Sequence, residues 1–287
     1  MSPSRADRWL AGALVSAAGV AGSAILLILT FLVTEAWPAL AQVGVGRFLG
    51  DPGWLPSAGP EGAFNLAPML AGTAAVTAGA LLLAAPAGVL SAIFCRFYAP
   101  AAVARVYRRL IEVLAGVPSV VYGFWGLVVL VPWIYRLRPP GQSLLAGVLV
   151  LALMVLPTVA LLAESALRSL PRAYLDGAAA LGLGRWTTVR RIALPAAVPG
   201  IGAGCVLAAA RALGETMAVL MVCGNVVQVP GSFFDPVRTL TANIALEMAY
   251  ATRFHRSALF VGGLALMSLV GVLILAVERL SPRPAYE

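Results

Sequence analysis

Charged residues in this chain are bunched, and the gaps between the bunches are long and apolar. Trp9 to Thr34 carries no charge, and further uncharged runs cover Leu66 to Cys95, Val113 to Tyr135 and Pro139 to Ala163. Ile192 to Ala210 continues past two charges to about Cys223, and Ser257 to Val277 is the last run. An α-helix rises about 1.5 Å per residue, so roughly 20 apolar residues cross a hydrocarbon layer about 30 Å thick. The pattern predicts an all-α, polytopic helical membrane protein with about six transmembrane helices.

Composition mainly removes alternatives. Of 287 residues, 61% are hydrophobic and 11% charged, against roughly a quarter charged in soluble domains. A water-exposed shell of this make-up would be one continuous apolar patch. The formal charge of +8 is carried by arginine without lysine, and the 20 basic residues gather in the short gaps between apolar runs. That placement suits loops lying against lipid headgroups and argues against a nucleic-acid surface. The three cysteines, Cys95, Cys205 and Cys223, lie in or at the ends of apolar stretches, and His255 is the only histidine. They predict neither a disulfide framework nor a metal site.

Arginine bias sets an orientation. With the N-terminus inside, 13 arginines fall in inner segments and 6 in outer ones, and Arg211 stays within the membrane. Arg136 and Arg138, beside a short outer turn, run against the rule. The balance predicts a multi-pass protein of the cytoplasmic (inner) membrane with both termini cytoplasmic. Arg5 and Arg8 before the first run, and Ala39 to Ala41 after it, resemble the flanks of a signal peptide. That run is much longer than a signal core of roughly 7–15 residues, so a retained helix is expected.

Three connections are too long for simple turns: Glu35 to Asn65, Glu164 to Arg191 and Gly224 to Arg256. Residues 1–60 read as an N-terminal transmembrane helix with its outer loop, and 61–287 as the core. The last connection has room for a re-entrant or surface helix. Its Arg238, Asn243 and Glu247 are placed to meet an incoming anion or a delivering partner, with ordinary solvated surface the expectation. No Walker-type phosphate loop occurs, so no catalytic residues are expected and any nucleotide chemistry belongs to a partner.

The middle connection is the most informative. Ala178 to Leu181 favours a short helix, Gly182 to Gly184 stops it, and Arg185 to Ile192 starts a second helix leading to Pro195. The result is a compact knob suited to a groove on another protein, or alternatively an amphipathic loop held on the membrane by Arg185, Arg190 and Arg191. Within the fifth run, Arg211 and Glu215 stand four residues apart, a spacing that on one helix puts them on one face and lets them pair. Intramembrane charges default to a pathway reading, and a structural ion pair is the bland alternative. Gly116, Pro118 and Gly123 predict a kinked or loosened third helix, with the hydroxyls of Ser119 and Tyr122 toward the pathway; close helix packing through the small residues is the other reading.

The middle connection also resembles the coupling motif of ABC importer permeases. There Glu-Ala-Ala is followed after three residues by Gly, after nine more by Ile, and after one more by Leu-Pro. Asp176, Gly177 and Ala178 stand at the first three positions, and Gly182, Ile192, Leu194 and Pro195 keep the spacing. Asp176 departs by a shorter arm, and Gly177 weakens the helix by about 1 kcal/mol relative to Ala. The resemblance implies the type I ABC importer permease architecture, with the 164–195 loop docked on a cytoplasmic ATPase. It further implies two ATPase subunits that use ATP and magnesium, a second permease subunit and an extracytoplasmic binding protein, with no cofactor in this chain.

From Glu61 onward the chain is similar to the C-type permease of the phosphate-specific (Pst) ABC importer. The blocks that carry this are Ile111 to Gly126, Arg211 to Val219 with Gly224 and Asn225, and Arg238 to Glu247. That likeness implies inorganic phosphate as cargo, a phosphate-binding protein, and a related A-type chain as permease partner. It makes Arg211, Glu215, Thr216, Ser119 and Tyr122 the candidate pathway residues. The coupling loop would equally serve molybdate, sulfate or phosphonate. A secondary transporter or channel would have no use for a docking knob, and no paired, interrupted segments in inverted halves are seen.

Overall fold

The computed structural model describes residues 5–280, with side-chain surroundings for 9–275. The side chains of Arg5, Arg8 and Arg279, and all of Arg283, which enter the orientation count, lie outside the described residues. Among the described residues six helices are long and apolar enough to cross a membrane: Trp9–Val43, Ala67–Tyr98, Ser119–Leu137, Leu144–Arg168, Arg185–Gly214 and Arg253–Leu275. No regular strand occurs among the described residues.

The elements are α1 (Arg5–Val43), α2 (Ala67–Ile93, extended by a wider π-turn to Tyr98), α3 (Ala101–Gly116) and α4 (Ser119–Trp125). A second π-turn leads from α4 into α5 (Val131–Leu137). Then come α6 (Leu144–Arg168), α7 (Arg172–Ala180), α8 (Leu194–Gly214), α9 (Met217–Val222), α10 (Leu240–Glu247) and α11 (Arg253–Leu280).

The chain divides into two compact units. One holds the chain to Asn65 together with Glu247–Ala265; the other holds Leu66–Leu246 and the chain from Leu266. In the first unit, Phe64 packs against both Phe48 and Phe254. Ser257 Oγ donates to the Glu35 carbonyl at 2.7 Å and accepts from Ala39 N at 3.1 Å, tying α11 to α1. The Trp54 indole donates to Glu247 Oε2, and His255 Nε2 shares that oxygen, each at 2.8 Å.

The second unit is built around α6, which is buried along most of its length between α2 and α8. Its start is buried too, so its first N–H groups need partners. Ser143 caps it through a 3.3 Å bond from Ala146 N, and the N–H groups of Leu144 and Leu145 reach the carbonyls of Asp235 and Phe233. The long 223–239 segment thus closes the top of α6 instead of hanging in solvent.

Three expectations are corrected. The third span begins at Ser119, because Pro118 drives Val117 out of helical geometry (φ −67°, ψ 128°) and separates an amphipathic α3 from α4. The fifth run does not continue to Cys223 as one helix: α8 ends at Gly214, and Glu215 is extended (φ −68°, ψ 130°) before α9 begins. Arg238, Asn243 and Glu247 are not a solvated surface. Asn243 and Glu247 are buried, and Arg238 donates to the Asn225 carbonyl and to Asn243 Oδ1. Buried polar groups of this kind require such partners.

Candidate substrate pathway and coupling surface

The break after α8 decides how Arg211 and Glu215 stand. With the helix ended, their four-residue spacing no longer puts them on one face. Glu215 Oε1 instead accepts from Ala218 N at 3.0 Å, capping α9, while its backbone carbonyl accepts from Thr241 Oγ1 at 2.7 Å. A carboxylate at a helix N-terminus is favourable, so this half of the expected pair has another local role. Arg211, in the last turn of α8, is exposed, and among the described residues no hydrogen bond or ion pair reaches it.

Tyr122 is brought within electrostatic reach of Arg211. Its hydroxyl, however, donates to the Leu114 carbonyl at 2.9 Å, bridging the α3–α4 break. The expected free hydroxyl is therefore already engaged. Ser119 opens α4 and is half-buried, and Thr216 Oγ1 donates to the Gly214 carbonyl at 3.3 Å. Gly123 lies where α4 meets α9: a Cβ there would sit 2.8 Å from Ala218 Cα. At this position the small residue serves close packing, while the loosening falls at Pro118.

At the other end of the unit, the helix–glycine–helix knob forms as expected. The N–H of Leu183 bonds the Ala178 carbonyl and that of Gly182 bonds the Ala179 carbonyl, both at 3.0 Å, with Gly182 at φ +66°. This is a Schellman cap, which explains a glycine at that position. Ala178 is buried under the turn, whereas Asp176, Gly177, Gly182 and Pro195 are exposed and Ile192 and Leu194 half-buried. Below the knob, Val189 and Ala193 join Ala92, Ile93, Ala163 and Leu167 in one apolar cluster, anchoring it on α2 and α6.

Bilayer-length helices, one bearing a guanidinium without a partner among the described residues and leading to an exposed, well-anchored knob, have the make-up of a membrane permease worked by a partner. The family model for the binding-protein-dependent transport system inner membrane component matches residues 84–286, and the chain belongs to that family. It is an ABC importer permease of the multi-pass inner-membrane kind. It is 39% identical to the probable ABC transporter permease protein YqgH of Bacillus subtilis, over 91% of this chain and 86% of the relative. It is 34% identical to the phosphate transport system permease protein PstC of Mesorhizobium japonicum, over 86% and 81%.

The fold is similar to a chain of the MetNI methionine ABC transporter in an inward-facing conformation (TM-score 0.57, 20% identity, 75% of this chain and 92% of that one). It is also similar to a chain of a bacterial ABC transporter involved in import of the acidic polysaccharide alginate (TM-score 0.60, 13% identity, 96% and 99%).

Proposed function

We propose that this chain is the C-type permease of an importer that moves inorganic phosphate inward, energised by separate ATPase subunits. In this reading 61–287 is the permease core, both termini are cytoplasmic, and the 164–195 loop faces the ATPases there. A related A-type permease completes the pathway, and an extracytoplasmic phosphate-binding protein delivers cargo. The observation that carries the cargo reading is Arg211, exposed and without a partner among the described residues in an otherwise apolar span. A guanidinium fork suits a tetrahedral oxyanion, and leaving it bare to lipid is costly.

Glu215 gives the site a way to discriminate. One carboxylate oxygen is held by Ala218 N; the other accepts a proton from a protonated phosphate oxygen, which sulfate lacks. Ser119 and Thr216 line the same region. The coupling reading rests on Asp176, Gly177, Ala178, Gly182, Ile192, Leu194 and Pro195 forming one capped, outward knob.

The test is reconstitution with both permeases, both ATPases and the binding protein. Phosphate-dependent ATP hydrolysis and phosphate uptake are expected, and both fall sharply in Arg211→Gln. Glu215→Gln keeps a carbonyl oxygen to cap α9 yet lowers selectivity for phosphate over sulfate. Near-normal phosphate uptake in both variants would refute the role given to the two residues, and a parent complex that takes up no phosphate would refute the cargo assignment.

A further inference from the structure

The knob must hand its motion to the pathway, and an ion network lies on a direct route between them. Glu164, four residues before the end of α6, is 5% exposed. Its Oε1 takes Arg168 Nε at 2.9 Å and Nη2 at 2.6 Å, and Arg108 Nη1 of α3 approaches the same oxygen at 3.9 Å. Arg108 also donates from Nε to Glu112 Oε1 at 2.9 Å. That bond, with the charge of Glu164 behind it, holds the Arg108 guanidinium above its ordinary range. Glu164 is the buried member and both arginine side chains stay about half exposed; without Arg108 the buried carboxylate would be left on Arg168 alone, so the contact favours one register of α3 against α6.

The other end of α3 leads to the pathway. Ser91 Oγ donates to Tyr107 Oη at 2.9 Å and Ile111 is buried, so α3 is fastened along one side. It stops at Gly116, and the Tyr122–Leu114 hydrogen bond carries the connection across the break into α4. Ser119 and Tyr122 travel with α4.

We infer that Glu164 is a positioning residue. Its ion pair with Arg108 transmits displacement of the 172–195 knob through α3 to the Pro118 break and the head of α4. The inference rests on the permease reading of the knob, and the identity of the cargo does not enter it. It requires a two-state element biased by both sites, which distance measurements can detect.

The test uses the assembled transporter with its ATPases, comparing nucleotide-free and ATP-trapped states by spin-label distances. One label sits at Leu181 on the knob and another at Val113 on α3, each measured against a reference site at Leu82 on α2, all three exposed. In the parent both labels move on ATP binding. In Glu164→Gln and Arg108→Gln the knob still moves, while the Val113 displacement falls by half or more, and the double variant is no worse than either single one. Glu164→Asp restores part of it. A merely structural role would instead lower complex yield and leave the Val113 displacement intact in the complexes that form; that result, or an α3 moving equally in all variants, overturns the inference. A parent knob that stays still overturns the coupling reading, and this inference falls with it.

Discussion

Gly182 and Gly123 are both glycines of necessity, for different reasons. At Gly182 a Cβ would meet nothing within 4 Å, so only the left-handed backbone resists substitution. An L-residue there costs about 1–2 kcal/mol, and Asn tolerates the conformation better. Uptake and ATPase co-purification are expected to fall in the order Gly, Asn, Ala, Val at 182. At Gly123 the backbone is ordinary and space is lacking, since a Cβ would press on Ala218. Gly123→Val should lower the unfolding midpoint in detergent by the equivalent of about 1–3 kcal/mol, typical of overpacking. The first role was legible outright, because a cap glycine follows its own helix; close packing at Gly123 was one of two readings, because the helix that limits it lies almost a hundred residues on.

The same distinction runs through the elements. That α6 is a membrane-length helix could be read directly from a long uncharged run; that it is the most buried of the spans could not, since Trp9–Val43 is as plainly apolar and is not buried. Its cap could not, because the groups that satisfy Leu144 and Leu145 come from 233–235, far along the chain. Ser143→Ala removes the one local part of that cap and should cost about 1 kcal/mol, measurable by chemical unfolding. The start of the third span was misjudged because the last turns of α3 are apolar and only Pro118 announces the break. Likewise Arg211 and Glu215 were read as one helical face although Gly214, followed by Glu and Thr, is a stop-then-cap signal. Pro118→Ala should let α3 and α4 fuse, freeing Tyr122 from Leu114; uptake is expected to fall while complex yield is kept.

For the whole molecule, six crossings among the described residues, taken with the arginine balance, lead us to expect both termini in the cytoplasm. A fluorescent reporter fused after Glu287 should glow, since it matures inside, and a periplasm-dependent phosphatase at the same point should stay inactive. The bare guanidinium of Arg211 has a further effect in the cell. On insertion scales an arginine at the centre of a membrane helix costs on the order of 2.5–3.5 kcal/mol, a cost that a mate or an anion relieves directly and snorkelling relieves in part. A copy synthesised alone therefore carries a mark of its solitude, of the sort that membrane proteases read when they clear orphans. Pulse-chase should give the chain a short half-life by itself, lengthened by co-synthesis of its companion and by Arg211→Leu without one.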